Sequence, residues 1–96
     1  MFWRMERILF TLERMARYML NYSELYYKAI ELRSKYTPGT RVRLVKMDDI
    51  QAPPVGTMGT VVGVDDIASL LVNWDNGSHL HVVYGEDIVE IIPENN

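Results

Sequence analysis

Residues 46–67 read KMDDIQAPPVGTMGTVVGVDDI, and this stretch decides how the second half of the chain folds. The triplet Asp-Asp-Ile occurs twice in it, on either side of a run rich in Pro and Gly. Its four carboxylates are compatible with a metal site, an acidic binding face or two turns. Asp favours turns because its side-chain oxygen accepts hydrogen bonds from nearby backbone amides. We therefore predict that Asp48-Asp49 and Asp65-Asp66 each follow the end of a strand, and that the Pro and Gly residues shape the loop between.

The sequence around this stretch is typical of short strands. RVRLVKM alternates apolar Val42 and Leu44 with Arg41 and Arg43, and GTVVGVD loses its alternation at Gly63, which predicts a bulge. LLVNW, SHLHVVY and IVEII supply three more strands, the first two joined at a DNG turn. Five short strands joined by turns predict a small SH3-like β-barrel. Its inward residues from the third and fourth strands are predicted to be Leu70, Val72, Trp74, Leu80, Val82 and Tyr84.

The first 35 residues contain no Gly or Pro and show helical periodicity. Apolar residues at helical spacing predict an amphipathic helix over residues 2–20, and a second helix begins near Asn21 or Ser23. The short connection favours an antiparallel pair, with one long kinked helix as the alternative. The fold class is therefore α+β, with a helical hairpin over residues 1–35 and a barrel domain over residues 36–96. The apolar line predicted for the second helix is Leu25, Ala29, Leu32 and Tyr36.

Charge is distributed unevenly along the chain. All 10 Lys and Arg lie within residues 4–46, where the net charge is +6, whereas residues 47–96 carry nine acids and a net charge of −9. There is no Cys, which excludes disulfides and thiolate chemistry and fits a reducing compartment. Arg and Glu interrupt the apolar N-terminal segment, so neither a signal peptide nor a membrane span is predicted. We expect a soluble protein of the cytoplasm, or of the host cytoplasm if it is phage encoded.

Four blocks of the chain carry a family resemblance: YTPGTRVRLVKMDD, APPVGTMGTVVGVDD, VNWDNGSHL and VVYGEDI. In this order they resemble DUF4314, a small domain of unknown function found in bacteria, their phages and mobile elements. The resemblance covers roughly residues 32–92. It implies a compact β domain and a mobile-element setting, and it implies no particular reaction or cofactor. Residues 1 to about 30 are an extension beyond the shared region.

Neither the aspartates nor the histidines form a pattern typical of a metal site. Calcium loops place their oxygen ligands at alternating positions, whereas Asp48-Asp49 and Asp65-Asp66 are adjacent pairs. His79 and His81 would share the outward face of one strand, but no Cys or third His is available to complete a zinc site. The sequence also lacks nucleophile elbows and phosphate-binding glycine patterns. We expect no catalytic residues, no metal and no cofactor, and therefore no enzymatic activity.

Two surfaces are predicted to bind a protein partner. The sequence favours a non-enzymatic interaction module that is encoded by a phage or mobile element and inhibits a host nucleic-acid-processing or defence enzyme, as anti-CRISPR proteins do. A carboxylate array can occupy a phosphate-binding channel, and Trp, Phe and Arg are enriched at interface centres. The acidic face comprises Asp48, Asp49, Asp65, Asp66, Asp75, Glu86 and Asp87, and the helix face comprises Trp3, Arg7, Phe10, Arg14 and Arg17.

Two other functions compete with this hypothesis. A nucleic-acid-binding or transcription-associated module would use Arg7, Arg14, Arg17, Arg41 and Arg43 to contact phosphates. Direct binding of this kind is disfavoured because nine acids in the barrel domain repel phosphate. A structural accessory domain would instead form a homodimer through its N-terminal helices.

Overall fold

The computed structural model describes residues 22–94, which form one helix and five strands. The α+β class and the second predicted helix are confirmed. The first predicted helix, over residues 2–20, lies outside the described residues, and so does the pairing of the two helices. The elements are α1 (Tyr22–Lys35), β1 (Arg41–Lys46), β2 (Met58–Val64), β3 (Ser69–Trp74), β4 (Val82–Val83) and β5 (Ile88–Ile91).

The strands form one antiparallel sheet in the order β4-β3-β2-β1-β5. Arg41 lies opposite Thr60 of β2, and Val42 lies opposite Ile91 of β5. Val42 and Leu44 are buried, whereas Arg41 and Arg43, which alternate with them, are partly exposed, and this confirms the alternation predicted for β1. The chain thus runs through three adjacent strands, β1 to β3, and returns with β5 to the far side of β1.

A bulge bends β2 at the position that its broken alternation predicted. The register between β2 and β3 shifts between Val61 and Gly63, so that Val62 has no direct partner in β3. A second irregularity lies in β1 between Leu44 and Lys46. Such bulges increase the local twist and curve the sheet around its core.

The barrel does not close, which corrects the predicted architecture. Of the strand predicted over residues 78–84, only Val82–Val83 pairs with β3, and the sheet ends at β4 on one side and β5 on the other. Side chains bond the backbone that precedes β4: Trp74 Nε1 donates to the Leu80 carbonyl, and Ser78 Oγ accepts from the Leu80 amide. These groups are therefore not available for a longer β-ladder. Tyr84, predicted to face inward, is 48% exposed.

The helix α1 packs on the sheet and shares its core. Ala29 is fully buried and Tyr36 nearly so, while Leu25 and Leu32 are half-buried against the core, which confirms the predicted apolar line. The Arg33 guanidinium fixes the helix by donating to the Val64 carbonyl at the end of β2. The helix ends at Lys35, and Tyr36 directly after it belongs to the core that the helix shares with the sheet. The sheet contributes to this core Val42, Leu44, Val61, Val64, Leu70, Val72, Trp74 and Val82.

Within residues 22–94, no helix has the length and apolar character that crossing a membrane requires.

Candidate protein interface

The two Asp-Asp-Ile triplets form turns, as predicted. Asp49 Oδ1 accepts a hydrogen bond from the Gln51 amide directly after β1. Asp65 Oδ1 accepts from the amides of Ile67 and Ser69 in the connection between β2 and β3. Asp65 and Asp49 therefore serve the backbone of their own turns, which accounts for the repeated triplet.

Three arginines of the described chain are held by acids from distant positions. Arg41 forms a bidentate salt bridge with Asp75. The distances are 2.9 Å from Nη1 to Oδ1 and 2.6 Å from Nη2 to Oδ2. This hydrogen bonding lowers the pKa of Asp75 and raises the pKa of Arg41. Two further pairs, at 2.7 Å each, are Arg43 with Glu90 and Arg33 with Asp66. All three pairs are partly exposed, so their main effect is to neutralise the arginines rather than to stabilise the fold.

The seven acids of the predicted acidic face are spread over the sheet. The Asp75 amide donates a hydrogen bond to the carbonyl of Met58, the first residue of β2. Asp65 and Asp66 follow Val64, the last residue of β2. The seven residues of β2 span about 20 Å, so these acids lie at opposite ends of the sheet.

The remaining four acids lie at the same end of the β1–β5 ladder. Lys46 lies opposite Ile88, so the residues that follow β1 run beside those that precede β5. We call this group the acidic corner, and it comprises Asp48, Asp49, Glu86 and Asp87. Asp87 is buried and its Oδ2 accepts from the Val83 amide, whereas Asp48 is exposed and bonds to none of the residues in the described part of the chain.

A cleft opens beside the acidic corner, where β4 and β5 fail to pair. It has a volume of about 400 Å³ and lies between α1 and the β4–β5 connection. Leu32 of α1 and Tyr36, directly after the helix, form one wall, and Leu70 and Val82 lie on the sheet side. At its rim, Tyr84 is 48% exposed and lies under the Lys28 ammonium, 4.9 Å from the ring centroid. The sequence did not predict this cleft, because the cleft exists only where β4 is short.

A second apolar surface lies on α1 away from the cleft. Tyr26, Tyr27 and Ile30 are exposed, and the two tyrosine rings meet edge to face with their centroids 5.6 Å apart. Arg33, one turn along the same flank, binds Asp66 and so places this flank beside the β2–β3 turn. The other predicted helix face, formed by Trp3, Arg7, Phe10, Arg14 and Arg17, lies outside the described residues.

The histidines lie near the β3–β4 connection and are not brought together with other metal ligands. His79 Nδ1 is 2.9 Å from Asn73 Oδ1, and both His79 and His81 are exposed. Among residues 22–94, no group of three His, Cys, Asp or Glu side chains could hold a metal ion.

The fold and the surface together define a small α+β domain with an acidic corner and an open sheet edge. The chain matches the model of a domain of unknown function, DUF4314, over residues 27–92, and it belongs to this family. The matched region includes most of α1 and all five strands. No curated protein matches the chain, and no solved structure does either.

Proposed function

We propose that this protein is a non-enzymatic interaction module that binds a basic surface of a protein partner through its acidic corner and the adjoining cleft. The partner that fits this chemistry is a host enzyme that handles nucleic acid, and the protein would inhibit it by occupying its phosphate-binding surface. This is the action of an anti-CRISPR-like inhibitor from a phage or mobile element.

The pairing of the arginines is the observation that carries this proposal. Residues 22–94 contain six Lys and Arg against eleven Asp and Glu, a net charge of −5. Because Arg33, Arg41 and Arg43 are each bound to an acid, residues 22–94 offer little positive charge to a phosphate backbone. A surface of this charge attracts a basic partner and repels nucleic acid.

The cleft adds apolar contact area next to the charge. Tyr84 and Ile88 are about half exposed at its rim, and aromatic and apolar anchors within a polar surround are typical of interface centres. The charges at the rim would speed the association of a basic partner, and burial of Tyr84 and Ile88 would stabilise the complex.

The test compares two variants that remove the same amount of charge. Asp48→Asn with Glu86→Gln neutralises two of the four acids of the acidic corner and keeps hydrogen-bond acceptors at both positions. Glu24→Gln with Glu94→Gln instead neutralises two exposed acids outside the acidic corner. Tagged protein is used to capture partners from a nuclease-treated bacterial lysate, and the affinity for the purified partner is measured at rising salt concentrations.

We expect the first variant to bind a nucleic-acid-handling partner about tenfold more weakly and with a smaller salt dependence, because each exposed charge contact contributes up to about 1 kcal/mol. The control variant should bind like the parent protein. Equal affinities for all three proteins would contradict the proposal. Capture of nothing, together with DNA or RNA binding when nuclease is omitted, would favour the nucleic-acid-binding alternative.

A further inference from the structure

The outer edge of β5 has backbone groups directed away from the sheet. The Ile92 amide donates to the Arg41 carbonyl, so residues 41 and 92 form a hydrogen-bonded pair. In an antiparallel ladder such pairs alternate with pairs that exchange no hydrogen bonds. The amides and carbonyls of Val89 and Ile91 therefore point away from β1.

The backbone of β1 confirms this orientation independently. Leu44, which lies opposite Val89, donates its amide to the Thr57 carbonyl and accepts from the Gly56 amide, on the side away from β5. Within residues 22–94, the four outward groups of Val89 and Ile91 bond to nothing. Exposed rows of this kind are templates for an added strand.

The side chains along this edge alternate in character. Val89 and Ile91 lie opposite the buried Leu44 and Val42, on the apolar side of the sheet, and Val89 also lines the cleft. Glu90 lies between them on the outer side, opposite Arg43. An antiparallel strand paired with this edge would place apolar residues beside Val89 and Ile91 and a basic residue beside Glu90.

A second copy of the chain fits this edge poorly. The two-fold pairing that uses both Val89 and Ile91 of each copy would place Glu90 directly opposite Glu90, and like charges in this position are destabilising. Pro93, shortly after the strand, lacks the amide that a longer pairing would need.

We infer that the β5 edge binds an extended segment of a partner protein in which apolar and basic residues alternate, so that the segment becomes a sixth strand beside the cleft. This inference rests on the proposed interaction function and specifies how the partner is held. Main-chain hydrogen bonds would provide affinity. Oε2 of Glu90 accepts from Arg43, so the preference for a basic residue would come from the other carboxylate oxygen of Glu90.

The probe is a capped hexapeptide of alternating Lys and Val, titrated into the ¹⁵N-labelled protein and followed by amide chemical shifts. Three comparison peptides carry Glu in place of Lys, N-methyl groups on the Val amides, or N-methyl groups on the Lys amides. Only the Val amides would face β5, because residues opposite Val89 and Ile91 form the hydrogen-bonded pairs. We expect the Lys–Val peptide and its Lys-methylated form to change the amide chemical shifts of Val89 and Ile91 and to slow the hydrogen exchange of these amides. The acidic and Val-methylated forms should bind at least about tenfold more weakly.

Two variants of the protein distinguish the contribution of the β5 backbone to peptide binding from that of its side chains. Ile91→Pro removes an amide that faces away from β1, and Ile91→Ala removes similar apolar surface but keeps the amide. The proline variant should bind the Lys–Val peptide about five to ten times more weakly than the alanine variant. If the proline variant does not fold, the methylated peptides with the unaltered protein decide the matter alone.

Equal binding of the two methylated peptides would overturn the inference, as would shifts confined to residues away from β5. Protection of Val89 and Ile91 that grows with protein concentration alone would also overturn it and identify a second copy as the occupant. Failure here is distinguishable from failure of the proposed function. Loss of partner affinity on neutralising the acidic corner would still support the interaction module when the peptide does not bind.

Discussion

The β2–β3 hairpin and the two edge strands, β4 and β5, belong to one sheet but use their residues differently. In the hairpin, Val61, Val72 and Trp74 are buried, and Asp65 accepts hydrogen bonds from the backbone amides of the connecting turn. At the edges, β4 has two residues, and Tyr84 and Ile88 are half exposed. The difference indicates that the hairpin contributes most of the stability, whereas the edge leaves backbone and apolar groups available to a partner.

The largest effect that tests this comparison is expected at Gly59, which lies opposite Trp74 at the end of the hairpin away from its turn. A Cβ at this position would lie 2.7 Å from Val72 Cγ1 and 2.8 Å from Trp74 Cε3, closer than real contacts allow. Gly59→Ala should therefore lower the free energy of unfolding by about 3 kcal/mol. Urea denaturation monitored by Trp fluorescence measures the loss.

The matched control for that substitution is Gly63→Ala, in the same strand. A Cβ there would meet nothing within 4 Å. Its effect on stability should stay within about 0.5 kcal/mol. A similar loss at both glycines would mean that the hairpin is not the tightly packed part of the sheet.

A smaller effect is expected at the turn of the same hairpin. Asp65→Ala removes the acceptor for the amides of Ile67 and Ser69 and should cost about 1 to 2 kcal/mol. The neighbouring Asp66→Ala breaks only an exposed ion pair with Arg33 and should cost less than about 1 kcal/mol. Thermal and urea unfolding of the two variants provide the comparison. A larger loss at Asp66 would contradict the role given to the turn.

The smallest effect concerns the exposed pair of Arg41 and Asp75. Because the hydrogen bond from Arg41 lowers the pKa of Asp75 in the folded state, the pair contributes stability above the ordinary Asp pKa of 3.8. That contribution is lost as the pH falls through the lowered folded pKa. The stability difference between the parent and Asp75→Asn should therefore shrink with acidification, as measured by urea unfolding at several pH values.

The control for the pH experiment is Asp48→Asn, since Asp48 bonds to none of the residues described between 22 and 94. The same pH dependence in both variants would show that the Arg41–Asp75 pair does not act on stability.

Local sequence rules accounted for the features that depend on neighbouring residues. The turn roles of Asp49 and Asp65, the bulge after Val61 and the burial of Trp74 all follow from alternation and turn chemistry within a few residues. Each strand was also placed correctly except the fourth. There, hydrogen bonds from Ser78 and Trp74 to the Leu80 backbone replaced the ladder that alternation alone predicted.

The candidate interface was less predictable because it depends on contacts between distant residues. Arg41 and Asp75 are 34 positions apart, and only the alignment of β1, β2 and β3 brings them together. The sequence therefore predicted a single acidic face, whereas the fold separates these acids into ion pairs, turn residues and the acidic corner. The free edge of β5 likewise became apparent only from the ladder with β1.

The most direct test of the contrast between hairpin and edge is amide hydrogen exchange of the free protein, resolved by residue. We predict an alternating pattern in β5, in which Glu90 and Ile92 exchange at least about a hundredfold more slowly than Val89 and Ile91. The amides of Val61 and Val72 in the hairpin should be among the slowest. Equal protection from Ile88 to Ile92 would contradict the account, because it would mean that the β5 edge is already covered.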